Sequence, residues 1–314
     1  MRGVPNAKRY AGTLWCKHKS KRYPFSFQLI LFKYYFVNVS LPDMPRYQLL
    51  VRCENVPVVT RFWQSSYGTY VTLTDKTTQT TLGQTEIVSN TQHPEYVTTF
   101  FLETDSSVYH PLQLVVYQDA GIGRDATAIW QAQIEATEVV QSPGHEQILE
   151  LSKTGKIIVR MIEMTSATTN WHFHLRALDV QNVEPGWFGL GRSDPFFEMA
   201  QKSVDPAVGW VRWHLLYRSE IIYNHLNPYW EPFLLQHVTA DPIHTIVRIR
   251  VYDDNGKHHA PKLIGECETT LDQLKQQLSQ RGNADREKAM PLYRDGKTEK
   301  TRGWLVVLQA NQVK

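Results

Sequence analysis

Residues 85 to 96, TEIVSNTQHPEY, return 134 positions later as SEIIYNHLNPYW at 219 to 230, with Glu, Ile, Asn and Pro in register. Within a residue, the same offset lays LVVYQD, 114 to 119, onto RIRVYDD, 248 to 254. A solenoid repeats every ~20 to 50 residues. A unit of about 130 is instead the size of one β-sandwich domain, so the chain reads as two copies of one domain. Its 314 residues suffice for two cores without metal or disulfide staples. The small polar run TSATTN, 165 to 170, suits the linker between them.

Inside each unit the punctuation is that of an all-β protein, with short alternating apolar runs between clusters of Gly, Pro, Asn and Asp. In IVRIRVY, 246 to 252, Val247, Ile249 and Val251 share one side and Arg248 and Arg250 the other. That is the period of a strand with one buried and one wet face. Similar runs at YQLLVRCENV, GTYVTLTD, HPLQLVVYQ, GKIIVRMIEM, WHFHLRALDV, PFFEMAQK, VRWHLLYR and GWLVVLQA predict packed antiparallel sheets. One short helix is expected, LDQLKQQL at 271 to 278, with Leu271, Leu274 and Leu278 at helical spacing and Thr270 as N-cap. The expected fold is all-β, two antiparallel Greek-key sandwiches in tandem with that helix in the second. The domains run 47 to 165 and 166 to 314, after a basic and aromatic extension at 1 to 46.

The extension holds nine Lys or Arg against one acid, Asp43, which leaves 25 basic and 30 acidic residues in 47 to 314. A globally basic nucleic-acid binder is thereby disfavoured. The stretch KHKSKR followed by FSFQLILFKYYFVNVSL, 25 to 41, reads equally as an anchor, a signal sequence or an aromatic tail. Met44 opens MPRYQLLVRCENV, which reads as the start of a domain, so 1 to 43 read as an extension upstream of it. Cys16, Cys53 and Cys267 are widely spaced with no CxxC pair, which suggests neither a disulfide framework nor a zinc knuckle and fits a reducing, intracellular setting.

Four segments of the second unit then carry a resemblance: SDPFFE at 193 to 198, RSEIIYNHLNPYWEPF at 218 to 233, VYDDNGKHH at 251 to 259 and LIGE at 263 to 266. In this order they resemble the C2 family of calcium- and lipid-binding sandwiches, and RSEIIYNHLNPYWEPF looks specifically like the copines. The first unit resembles the family more by position than by motif. Copines continue into a von Willebrand A domain, and this sequence stops before one begins.

The resemblance implies about five carboxylates gathered by loops at one end of the sandwich, with anionic lipid completing a calcium shell. Carried over, the metal ligands are Asp194 of SDP, Asp253 after the VY strand, and Asn255 where the family has an acid. Glu184 is the nearby candidate for the earlier loop, and Asp254 is a neighbour able to swing in. Lys262 stands where the last family Asp belongs. Calcium takes about six to eight oxygens, and a lysine at ~4 Å from a cation adds on the order of 1 kcal/mol of repulsion per unit charge even in water. Calcium binding is therefore expected to be weak in the second unit, and no other cofactor is expected. In the first unit Gly68, Gln118 and Ala120 replace acids, leaving Asp119 and Asp125 as remnants, and no calcium is expected.

Membrane contact has two further routes. Trp187, Phe188 and Leu190, in VEPGWFGLGRSDPFFE at 183 to 198, form an apolar lip of the kind that enters the bilayer interface. Arg248, Arg250, Arg212, Arg218 and Lys202 lie on strands, where each basic group near an anionic leaflet adds about 1 kcal/mol. The expected partner is an anionic phospholipid membrane, at the cytoplasmic side of the plasma membrane or another intracellular membrane. The alternative is a calcium-insensitive protein-interaction scaffold. No GxSxG elbow or GxxxxGK loop occurs, and catalysis is not expected.

Overall fold

The computed structural model describes residues 45–57, 68–105, 107–119, 121, 125–164, 168–183, 191–204, 209–239, 244–256, 259–279, 286–294 and 296–313. In chain order the first unit contains β1 (Arg46–Glu54), β2 (Gly68–Asp75), β3 (Thr80–Gln84), β4 (Val88–Ser89), β5 (Phe100–Glu103), β6 (Pro111–Asp119), β7 (Thr127–Glu135), α1 (Ala136–Gln141), β8 (Glu146–Glu150) and β9 (Lys156–Glu163). The second contains β10 (Thr168–Leu178), β11 (Pro195–Val204), β12 (Val211–Arg218), β13 (Phe233–Thr239), β14 (Ile246–Asp253), β15 (Lys262–Thr270), α2 (Leu271–Gln276), β16 (Met290–Pro291) and β17 (Trp304–Val313).

Among the described residues the strands form four antiparallel sheets, two to each unit. The first unit pairs β5-β1-β9-β8 and β3-β2-β6-β7, with β4 added to β2, and the second pairs β13-β10-β17-β16 and β12-β11-β14-β15. Alternation builds each core. Leu49, Val51, Val71, Leu73, Leu112, Leu114, Ile157 and Val159 meet between the first two sheets, and Trp171, Phe173, Phe197, Met199, Val247, Ile249, Val251 and Leu305 between the second two. Burying each such side chain stabilises by ~1.5 to 3 kcal/mol. The all-β expectation holds, and Val247, Ile249 and Val251 are wholly buried as the IVRIRVY pattern requires.

Helices depart from expectation in one respect: the described residues contain two short α-helices. At α2, Gln273 N–H donates to Thr270 Oγ1 at 3.1 Å and Thr270 N–H donates back to Gln273 Oε1 at 3.2 Å, a reciprocal capping box. In α1 the cap is Glu135, whose carboxylate accepts from Thr137 N–H at 3.4 Å, and an acidic cap before ATEVVQ left no start signal in the sequence. Among the described residues no helix is long and apolar enough to cross a membrane, and the apolar run at 25 to 41 lies outside them.

The sequence repeat proves to be a set of repeated hydrogen bonds. Thr85 Oγ1 accepts from Val71 N–H at 2.9 Å, and Ser219 Oγ accepts from Phe197 N–H at the same distance. Asn90 and Asn224 both hold positive φ, 59° and 53°, a conformation Asn tolerates better than most residues. The carbonyls of Pro94 and Pro228 accept from Cys53 and Ala177 N–H at 2.9 and 3.0 Å. Tyr96 OH bonds Thr69 Oγ1 at 2.9 Å, while Trp230 Nε1 donates to Pro195 O at 3.3 Å. The twice-used segment ties the loop after each unit's third strand to the two sheets around it.

Candidate functional site

Strand register brings the carried-over residues of the second unit to one end of its sheet. Asp194 precedes the first residue of β11, Asp253 ends β14 opposite Pro195, and Lys262 opens β15 directly across from Asp253. Asp253 is wholly buried, and its Oδ1 accepts from Asp194 N–H at 2.6 Å. Asp194 Oδ1 accepts from Asn224 N–H at 2.7 Å, and its carbonyl accepts from Asp254 N–H at 3.0 Å. The preceding Ser193 is also buried, and its Oγ accepts from Val183 N–H at 3.0 Å. Ser193 and Asp194 therefore stitch three loops together through backbone donors, bonds of the charge-assisted kind where a carboxylate takes part.

The remaining ligand candidates are turned to similar work. Asn255 donates its side-chain N–H to Ala260 O at 2.7 Å, holding its own loop. Asp254 Oδ2 accepts from Gly256 N–H at 3.3 Å. Lys262 Nζ donates to Val183 O at 3.2 Å, so the cation anchors the loop that precedes Asp194. Glu184, and the lip of Trp187, Phe188 and Leu190, lie outside the described residues. Among the described residues no three His, Cys, Asp or Glu side chains converge as a metal site. The described residues thus show no converged set of the ~6 to 8 oxygens that a calcium ion takes, and Lys262 pairs with Asp253 in the sheet beside them.

The first unit shows the same frame without the acids. Thr69 pairs with Gln118 as Pro195 pairs with Asp253, which puts Gly68 at the place of Asp194 and Gln118 at the place of Asp253. A Cβ at Gly68 would run into the Ile87 side chain, so an acid there requires Ile87 to move. Asp119 is half-buried and Asp125 exposed.

Each of the five basic residues lies beside an acid or an aromatic ring. Arg218 Nε donates to Glu198 Oε1 at 2.8 Å, and its Nη2 donates to Glu95 O of the first unit at 3.4 Å. Arg212 pairs with Glu146, again of the first unit. Arg250 pairs with Glu266 at 2.8 Å, and Arg248 lies 4.3 Å from the centre of the Trp213 ring and 4.0 Å from Glu266. Lys202 lies 5.9 Å from the same ring. Alternation reports only which side chains leave their own core, and a neighbouring domain occupies part of that outside.

That neighbour makes a seam which the sequence reading missed. Ile158, 2% exposed, and Leu215, 6% exposed, belong to neither sandwich core, and both line a cavity of ≈ 270 Å³ with Arg52, Glu95, Arg160 and His214. Arg160 Nη1 donates to Ser203 Oγ across the seam at 2.9 Å. Burial, with the Arg160 charge adding to it, pushes the His214 imidazole down to about 4. Burial likewise raises the Glu95 carboxyl, reinforced by Glu198. A signal was present: Ile158 breaks the alternation inside KIIVRMIE, where Ile157, Ile158 and Val159 are all buried.

A family model described as C2 domain matches residues 49–151 and again 171–285. The chain belongs to the C2 domain family. Among solved structures, this C2 tandem is similar to BON1-C2B, at 18% identity over 47% of this chain and 94% of that one, with a TM-score of 0.37. It is also similar to the calcium-bound pair of C2 domains of Extended-Synaptotagmin 2, at 11% identity over 87% and 99% of the two chains, TM-score 0.34. The first C2 domain of plant Extended Synaptotagmin 1 matches at 17% identity over 46% and 96%, TM-score 0.29. The C2 sandwich is typically a binding fold and not a catalytic one.

Proposed function

We propose that this C2 tandem is a peripheral membrane-binding module of copine type that attaches to anionic phospholipid without a strict need for calcium, on the cytoplasmic side of the plasma membrane or an internal membrane. One observation carries the calcium half of the reading: the two aligned carboxylates, Asp194 and Asp253, already accept backbone N–H donors, while Lys262 sits across from Asp253. Loops held this way keep their shape with no ion present. Attachment then falls to the apolar lip of Trp187, Phe188 and Leu190, where each inserted side chain is worth ~1.5 to 3 kcal/mol.

Liposome co-sedimentation tests it, with calcium and with chelator, on vesicles with and without phosphatidylserine. Binding to anionic vesicles in chelator, lost in Trp187→Ala with Phe188→Ala, is the expected result. Binding that appears only with calcium removes the calcium-independent half, and absence of binding under every condition removes the membrane reading. A second reading, a protein-interaction scaffold, is favoured by the end of β11 and the approach to β12, where Val204, Trp210 and Val211 are all more than half exposed. In that case the tandem ignores every vesicle.

A further inference from the structure

We propose that the first sandwich competes with the membrane for the cationic sheet of the second, so that Arg212 and Arg218 become available to anionic lipid only when the seam between the sandwiches opens. The inference rests on the membrane reading above and adds to it an internal occupant of the basic sheet.

Both arginines are engaged from across the seam. Arg212, at the start of β12, pairs with Glu146 at the start of β8, and the two side chains are only 19% and 8% exposed. Arg218, at the other end of β12, has Glu86 at 3.9 Å and the Glu95 carbonyl at 3.4 Å, in addition to Glu198 of its own sheet. An acidic side chain from a loop or strand end of the first sandwich therefore meets each end of β12. The shared chemistry is that of a lipid headgroup, since a carboxylate and a phosphate both present oxygens to a guanidinium fork.

Two features show that the contact is built to close and yet is weaker than a core. Ile158 and Leu215 are covered by the neighbouring sandwich and by no core of their own, so opening the seam exposes apolar surface and has a definite cost. Between them the two sandwiches leave an open cleft of ≈ 270 Å³, so they do not close over each other there as the two sheets of a core do. The rest of the contact is polar, as in Arg160 to Ser203 at 2.9 Å. Interfaces of this polar kind within a chain resemble transient ones, and relative motion of their domains is the default. An anionic leaflet supplies what the seam lacks, a dense array of acceptors with a surface potential that draws cations.

The test uses the full chain in chelator. Glu86→Gln with Glu146→Gln removes both first-sandwich carboxylates and leaves every second-sandwich residue in place. Hydrogen exchange without lipid reads the seam, and faster exchange of β8 and β12 amides is expected. On phosphatidylcholine vesicles containing phosphatidylserine, the variant is expected to bind on the order of fivefold more tightly, the gain for one freed basic group, because Arg218 keeps Glu198 at 2.8 Å. Adding Arg212→Gln and Arg218→Gln is expected to remove the gain. The exchanged pair Glu146→Arg with Arg212→Glu rebuilds the ion pair in reverse, and slow exchange there shows that substitution at these sites does not unfold the chain. Wild-type binding with no gain in the open variant overturns the competition and leaves the membrane reading standing. Failure of both chains to bind, with exchange raised, overturns both. Unchanged exchange in the double Gln variant overturns the role given to Glu86 and Glu146.

Discussion

If the aligned acids serve as loop stitches, Asp253→Asn has a calculable effect that does not involve calcium. The amide keeps an oxygen where Oδ1 accepts from Asp194 N–H at 2.6 Å, so the bond survives in neutral form. A bond to a charged group contributes ~1.5 to 3 kcal/mol and a neutral one ~0.5 to 1.5, and the expected loss is about 1 to 2 kcal/mol. For a sandwich of this size each kcal/mol moves Tm by roughly 3 to 5 °C, so the transition of the second sandwich should fall by about 3 to 10 °C in chelator. Calorimetry with chelator and with calcium makes the comparison complete. A site holding calcium at a hundred times its Kd gains about 2.7 kcal/mol, a rise of roughly 8 °C or more that Asp253→Asn would abolish. The stitch account expects each protein to melt at the same temperature with calcium as in chelator, the variant below wild type in both. A large calcium-induced rise in wild type alone, or a variant that melts like wild type in chelator, refutes it.

Further outcomes follow from buried groups. His214 is held near 4 by burial and by Arg160, against an ordinary value of 6.5. The unfolded chain therefore takes up this proton first, and stability contributed by the neutral ring is full above pH ~6.5 and lost as pH falls toward 4, by about 3 kcal/mol in all. Urea midpoints across that window should fall steeply in wild type and less in His214→Gln; equal slopes would show that another group dominates. Burial pushes the Cys53 and Cys267 thiols up to about 12, so iodoacetamide should leave both unmodified in the folded protein at neutral pH and alkylate both in urea, as read by mass spectrometry. Gly303 has φ +139°, and a Cβ there would lie 2.9 Å from Val180 Cα. Gly303→Ala should cost roughly 1 to 3 kcal/mol, measured by the same melts, and an unchanged Tm would mean that the Val180 loop yields freely.

What the sequence made legible, and what it hid, divides by the range of the interaction. Thr85 and Ser219, Asn90 and Asn224, and Pro94 and Pro228 repeat because each satisfies a backbone group or a φ angle that few side chains can serve. Requirements of that kind write themselves into residue identity, and so the tandem sandwich was readable. The cores were readable for the same reason, through alternation. Arg212 and Arg218 present the opposite case. An arginine that leaves its own core follows one pattern whether water, a lipid or Glu146 of another domain lies beyond it, and only the three-dimensional placement of the first sandwich distinguishes them. The helix α1 was hidden by an unusual acidic cap, and the seam left only a faint sign in β9, the break in alternation at Ile158.

The two units also act as a comparison within one molecule. The first keeps the scaffold bonds, with Tyr96 on Thr69 where the second has Trp230 on Pro195, yet it has Gly68 and Gln118 where the second has Asp194 and Asp253. The motif that carries the family resemblance is thus compatible with either chemistry at the loops, and its presence does not imply an ion site. What the second unit adds with its acids is a link between the two: Asn224, held at positive φ by the scaffold, donates its N–H to Asp194. The same residue that shapes the repeated turn also occupies one oxygen of the aligned carboxylate. The scaffold thereby fixes the orientation in which Asp194 presents its second oxygen, so the chemistry of the loop is set through a bond that the repeat itself supplies.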